Sequence, residues 1–258
     1  MKILAIETST EYCSVALWLD GTVSERCELV GQKHSEVLMA MLDALLKDAG
    51  VTVKQVDGIA FGKGPGSFTG VRIACGVAQG LALGADVPVV GVSTLEAVAE
   101  TSGREKVIAA LDARMDELYL AAYERRAGAW HAVIEPCLCK AEAAPLLEGI
   151  WCGAGNGFSI QGAALQARYD GHLQADFLDS SVFPRASAIA VLGAAQFAQG
   201  KGVDAALALP LYLRDKVALK TSEREKVPST STAPARSTPV GAPSRSDDPS
   251  AGSVRTDI

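Results

Sequence analysis

The chain has 258 residues, 48% hydrophobic and 21% charged, with a formal net charge of −6. This composition suits a soluble protein long enough for two packed lobes and gives no basic surface for holding nucleic acid unaided. The N-terminus leads straight into a strand-like run, with no apolar segment of the length that a secretory signal or a bilayer span requires.

Ile3-Leu4-Ala5-Ile6 is wholly apolar and predicts a central strand buried on both faces; it ends in Glu7-Thr8-Ser9-Thr10. Residues 14–19 predict a second strand, Asp20-Gly21 a hairpin turn, and residues 22–29 a third strand. Gly31 breaks the pattern. Apolar residues then fall at Val37, Leu38, Met41, Leu42, Leu45 and Leu46, a helical period with one wide apolar face. This helix starts near His34 or Ser35 and ends at Gly50. Residues 56–61 predict another buried strand, followed by four glycines and a proline within residues 62–70 and a helix over 71–83. Residues 88–92 give the next strand, and Ser93 or Thr94 caps a short helix with Glu96 in its first turn.

The glycine-rich strand-to-helix turn brings backbone close to something else. Amides at a helix start can receive an anion, so the occupant is either a phosphate or the backbone of another chain. In the helix that follows, Gly76, Gly80 and Gly84 recur every four residues and share one face. Each interior glycine costs about 0.8–1.0 kcal/mol relative to alanine. Gly76 and Gly80 together cost about 2 kcal/mol, which close packing must offset, on the chain's own sheet or on a partner helix. On the preceding helix Met39, Leu42 and Leu46 widen the apolar face beyond what one sheet contact needs.

The second half starts again. Residues 107–112 set beside 2–7 give a short apolar strand ending in an acid, Asp112 against Glu7, and residues 119–123 fall beside 14–18 without a gap. This reads as an internal duplication. Further on, residues 130–134 predict a strand, 141–147 a helix and 150–152 a strand before Gly153-Ala154-Gly155-Asn156-Gly157, a turn that could also close on a nucleotide. Residues 158–169 and 186–199 predict helices, and 210–214 an extended piece. From about Thr221 the composition changes: five of the eleven prolines lie between Pro228 and Pro249, among Ser, Thr and Ala. Such a segment buries too little apolar surface to offset its chain entropy, so a disordered tail is expected over 221–258.

The six cysteines form no CxxC pair, and most lie in apolar runs. A reduced, cytosolic chain without a disulfide framework is expected. Cys137-Leu138-Cys139 puts both thiols on one side if extended. The three histidines are far apart and predict no metal site. Ser67 has no His or Lys base in a recognisable motif, so no nucleophile is assigned there.

Duplicated β-β-β-α-β-α-β lobes with an acid at the end of each first strand resemble the actin-like ATPase superfamily. The fold class expected is α/β: two duplicated actin-like (ribonuclease H-like) lobes, each a mixed sheet with flanking helices, over residues 1–104 and 105–220. Within that superfamily, Ile6-Glu7-Thr8-Ser9, Lys33-His34-Ser35-Glu36, the Gly64-to-Arg72 segment, Gly91-Val92-Ser93-Thr94-Leu95, Asp112-Ala113-Arg114 and Tyr212-Leu213-Arg214-Asp215 are similar to the TsaB (YeaZ) family, over roughly residues 1–220.

The resemblance implies a non-catalytic scaffold and dimerisation subunit. It would bind a TsaD-like catalytic partner, with a TsaE-like ATPase, for threonylcarbamoylation of the tRNA adenosine next to the anticodon. It implies contact with tRNA only through the complex, a cytoplasmic location away from membranes, and a homodimer when alone. The family's catalytic relative binds its metal with a His-x-x-x-His motif in the segment equivalent to residues 93–98. Here Thr94 and Val98 stand at those places and neither replaces an imidazole, so no catalytic residue and no metal site are expected. The resemblance also favours docking through the N-terminal helices, assigning the partner face to Met39, Leu42, Leu46, Arg72, Gly76, Gly80 and Leu83. Actin-like ATPases commonly follow each turn acid closely with glycine; Glu7-Thr8-Ser9 and Asp112-Ala113-Arg114 do not. Glu7, Thr8, Ser9 and Asp112 are therefore read as vestigial phosphate turns, with no cofactor tightly bound and ATP held weakly or at a subunit junction. The alternative reading is a nucleotide-dependent phosphotransferase or ATPase of the same superfamily.

Overall fold

The structure, a computed structural model, describes residues 1–214; the tail expected over 221–258, and Asp215 of the last motif, lie outside the described residues. Strand β1 (Lys2–Glu7) alternates Leu4 and Ile6 toward one core with Ile3 and Ala5 toward another, so it is buried on both faces. It pairs antiparallel with β2 (Tyr12–Leu19), which pairs with β3 (Thr22–Leu29) through the Asp20-Gly21 turn. Helix α1 (His34–Asp48) leads to β4 (Gly58–Gly64), parallel to β1. Helix α2 (Phe68–Ala85) then leads to β5 (Val89–Ser93), and the sheet order is β3-β2-β1-β4-β5. Helix α3 (Thr94–Ser102) follows directly.

The same plan repeats. Strands β6 (Lys106–Asp112), β7 (Leu118–Arg126), β8 (Ala129–Cys139), β9 (Trp151–Ala154) and β10 (Leu173–Asp179) form a second sheet in the order β10-β9-β6-β7-β8. Its central strand is likewise antiparallel to the next and parallel to the fourth. The duplication read from the two acid-ended strands is therefore a duplication of topology.

Three elements differ from the sequence reading for local reasons. The helix expected over 141–147 is only a 3-10 turn, Ala141–Ala143, because Pro145 pushes Ala144 out of the helical region to ψ 139°. The helix expected over 158–169 is broken at Gln161 into α4 (Gly157–Ile160) and α5 (Gly162–Arg168). Strand β8 runs on to Cys139 despite Pro136, because it is an edge strand and its pairing with β7 is bulged there. Cys137 and Cys139 do share one side of it, toward the core under β7.

The lobes exchange their last helices. Helix α3, from the first half, packs on β6 and β7, while α6 (Ala186–Ala198), from the second, packs on β1, β2 and β4. A division between residues 104 and 105 thus describes the repeat in sequence but not the packed bodies, and both sheets lie in one compact unit. The seat of α6 is tight. A Cβ at Gly193 would lie 2.5 Å from Ala60 Cβ, and one at Gly58 would lie 2.4 Å from the Phe197 ring. The helix has no cap of its own at Arg185; Ser14 Oγ accepts from Ala186 N and Glu25 Oε1 from Ser187 N, each at 2.9 Å. Arg185 is ion-paired to the same Glu25.

Helices α1 and α2 cover the other face of the first sheet, burying Leu38, Met41, Leu42 and Leu45 from α1 with Ala74, Cys75, Ala78 and Ala82 from α2. By length and composition α2 is apolar enough to cross a membrane, which corrects the expectation that no such segment exists. Its buried stripe against the sheet makes it a core helix with one apolar face left outside.

Candidate functional site: the interlobe cleft and the outer face of α2

A cleft of about 480 Å³ lies between the two strand-end turns, lined on one side by Ser9, Gly66 and Phe68 and on the other by Asp112, Arg114 and Asn156. The glycine-rich turn does not present its backbone to this cleft as an empty cradle. It wraps the Glu7-Thr8-Ser9 turn of its own chain. A Cβ at Gly62 would fall 1.7 Å from Glu7 Oε2, one at Gly66 2.7 Å from Ser9 O, and one at Gly70 1.9 Å from Thr8 O. Ser67 N donates to Ser9 O at 2.8 Å, and Thr8 Oγ1 donates to Gly70 O at 2.7 Å. Ser67 Oγ caps α2 by accepting from Gly70 N at 3.3 Å. Both occupants considered from the sequence, a phosphate or another chain, are corrected by this: the close neighbour is the β1 turn.

Glu7 and Thr8 are fully buried and do not line the cleft. Ser9 lines it, but its Oγ is buried and without a partner among the described residues. Glu7 Oε1 accepts from Ser9 N at 2.5 Å, while Oε2 has no partner among the described residues. Burial dominates, and the carboxyl is pushed up from 4.5 to about 7 despite the hydrogen bond from Ser9 N. In the unfolded chain this group titrates at its ordinary value, so its contribution is fully present below about pH 4.5 and is lost as pH rises through 7. Glu7→Gln keeps the acceptor to Ser9 and removes the charge. Relative to wild type it should gain stability between those pH values, levelling off near 3 kcal/mol. Urea midpoints of both proteins at pH 5 and pH 8 check this, and parallel curves would contradict it.

Across the cleft, Asp112 Oδ1 accepts from Arg114 N at 2.8 Å and its Oδ2 pairs with Arg114 Nη1 at 3.0 Å. Asn156 Oδ1 accepts from Asp112 N at 2.9 Å. Asp112 and Glu7 are thus both acids that tie their own turns. Arg114 is the cation lining the cleft among the described residues, and it is already paired. The turn is strained: Arg114, Met115 and Asp116 have φ of 63°, 56° and 57° in succession, a left-handed conformation that costs roughly 1–2 kcal/mol per L-residue. Arg214 holds it, its Nη2 donating to Ala113 O at 3.0 Å and pairing with Glu117 Oε2 at 2.7 Å. The glycine run at residues 153–157 is a packing turn. A Cβ at Gly155, φ +106°, would lie 2.2 Å from Ala110 O.

The seven residues expected to meet a partner separate into two groups. Leu42 is 2% exposed and belongs to the core under the first sheet, and Leu46 is half-buried against the same core; Leu42 is therefore removed from the outer face. Arg72, Gly76, Gly80 and Leu83 lie along the solvent side of α2, with Leu83 79% exposed, and Met39 is 52% exposed on α1. A Cβ at Gly76, Gly80 or Gly84 would meet nothing within 4 Å, so the stripe does not pack on the chain's own sheet. Beside it stand Phe68 and Tyr212, which sequence reasoning did not assign to the site. The Arg72 guanidinium sits 3.6 Å above the Phe68 ring, and its Nε donates to Tyr212 OH at 2.7 Å. Tyr212 is 140 residues from Arg72 and gave no local signal.

Comparison with known proteins bears on this arrangement. The family model described as TsaD, tRNA N6-adenosine threonylcarbamoyltransferase, matches residues 26–220. The chain is 41% identical over 235 residues to the tRNA threonylcarbamoyladenosine biosynthesis protein TsaB of Escherichia coli, covering 85% of this chain and 97% of that relative. It is 35% identical to the protein of the same name from Haemophilus influenzae, covering 85% and 96%. Among solved structures, YeaZ from Pseudomonas aeruginosa superposes with a TM-score of 0.73 at 38% identity, covering 82% of this chain and 99% of that one.

Proposed function

The chain belongs to the TsaB family, and from that premise we propose that it is the scaffold subunit in tRNA threonylcarbamoyladenosine biosynthesis. It binds and positions a TsaD-like catalytic partner, works with a TsaE-like ATPase, and meets tRNA only through that assembly. It carries no catalytic residue of its own and acts in the cytoplasm.

The observation that supports this reading most is the outer stripe of α2. Arg72, Gly76, Gly80 and Leu83 run along the solvent side of an apolar helix; a Cβ on Gly76 or Gly80 would meet nothing within 4 Å and Leu83 is 79% exposed, while Arg72 rests on Phe68 and Tyr212. Exposed glycine on a helix lets another backbone approach closely, and a large exposed leucine beside it supplies apolar area to cover. The same face would pair two copies when the partner is absent. Thr94 and Val98, which the resemblance sets where the catalytic relative carries its histidines, are fully buried in the core. The reading is also supported by the two turns: Asp112 is tied to Arg114 within its own turn, and Glu7 is buried off the cleft lining.

Size-exclusion chromatography with light scattering tests it. The full chain alone should run as a homodimer, and with a TsaD-like partner as a complex in which each homodimer has been replaced. A mixture that elutes as two separate species would overturn the proposal. Calorimetry with ATP and magnesium addresses the phosphotransferase alternative. Weak or undetectable binding is expected, whereas sub-micromolar binding with hydrolysis lost in Glu7→Ala would favour the alternative.

A further inference from the structure

We propose that residues 211–214 form an interlobe latch that couples occupancy of the α2 outer face to the shape of the cleft. Leu211 N donates to Lys63 O at 2.6 Å, and Gly64 leaves room for that approach, since a Cβ there would lie 2.9 Å from Leu211 O. Leu211 and Leu213 line a second cleft of about 420 Å³ with Lys63, Glu96 and Tyr123. Tyr212 and Arg214 make the polar contacts on the first lobe and on the second.

The contacts form an unbroken series. Phe68 begins α2 and lines the interlobe cleft; Arg72, one turn later, lies over the Phe68 ring and donates to Tyr212 OH. Two residues on, Arg214 binds Ala113 O and Glu117 Oε2, the two ends of the strained turn that forms the opposite wall of the cleft. The series joins two lobes by side chains at its ends and one backbone hydrogen bond in the first lobe. Residues 211–214 belong to no helix or strand, and Phe68 and Tyr212 are 41% and 43% exposed. Such a segment opens at lower free energy than the sheets it spans.

Arg72 is both the anchor of Tyr212 and part of the outer stripe. A carboxylate or carbonyl brought against α2 competes with Tyr212 for the guanidinium. When Tyr212 lets go, Arg214 loses its support and the 113–117 turn is free to relax. By reciprocity, a ligand that fixes that turn strengthens the Arg72–Tyr212 arrangement. What covers Arg72 rests on the docking reading above; the coupling itself does not.

Hydrogen exchange on the full chain tests this, comparing wild type with Tyr212→Phe and Arg214→Gln. Tyr212→Phe removes one hydroxyl, whose hydrogen bond is to Arg72 in the first lobe. It should nonetheless speed exchange at Ala113 and Glu117, whose amides close the turn, by about fivefold, the factor for one net hydrogen bond of ~1 kcal/mol. Arg214→Gln should speed the same amides and also those at the start of α2. A rise confined to residues 211–214 in both variants overturns the latch. The two readings fail separately. If no partner binds but Tyr212→Phe still loosens the turn, the latch stands and the docking reading falls. If a partner binds and the turn responds neither to it nor to Tyr212→Phe, the latch falls alone.

Discussion

Gly80→Arg is expected to break association with a TsaD-like partner while leaving the fold intact. The position is solvent-facing, and a Cβ there meets nothing within 4 Å, so the side chain enters open space. Replacing an interior helix glycine also removes a propensity cost of about 0.8–1.0 kcal/mol. The variant should therefore melt no lower than wild type and expose its denaturant midpoint at a slightly higher concentration. Association has the opposite sign. A long cation standing on the close-approach stripe separates the two backbones, and affinity should fall about 30-fold or more, the loss expected at a hot spot of 2 kcal/mol. Sedimentation or light scattering of the variant with the partner reads this. Unchanged affinity would remove the α2 stripe from the interface.

Gly70→Ala should have the largest effect on folding, about 4 kcal/mol, at the exceptional end for a single substitution. Its added Cβ would lie 1.9 Å from Thr8 O, a backbone atom with no rotamer to change, and 3.3 Å from Ser67 Cβ. Relief requires the start of α2 to move off the β1 turn. That breaks the Thr8–Gly70 and Ser67–Ser9 hydrogen bonds together. The control lies two turns along the same helix. Gly76→Ala meets nothing and should stabilise by about 1 kcal/mol. Urea unfolding of the two variants separates close-packing glycines from the exposed stripe. Equal effects would contradict that division.

Much of the architecture was legible because it is written in local periodicity. Residues 3–6 have no polar member and Asp20-Gly21 marks its own turn, so β1 to β3 follow from a short window. The acid at the end of each first strand exposed the duplication. The exchange of α3 and α6 was not legible, because nothing in residues 186–198 says which sheet their small side chains meet. The caps of α6 come from Ser14 and Glu25, more than 150 residues away. The role of the glycine motif was half legible. Its spacing announced a close approach, but glycine is equally suited to phosphate and to peptide, and only the register of β4 beside β1 brings the Glu7 turn into the gap. Leu42 misled for a related reason: periodicity gives an apolar face without saying where the sheet ends and solvent begins. The Ala144-Pro145 stop is a local signal, since proline disfavours a helical residue before it.

The scaffold account can be tested most directly by measuring threonylcarbamoyl transfer to tRNA, with the other components supplied, by the purified chain alone and then with its TsaD-like partner. No modified tRNA is expected from the chain alone, and formation with the partner should rise with the chain's concentration until the partner is saturated. Turnover by the isolated polypeptide, or transfer by the partner that is indifferent to this chain, would contradict it.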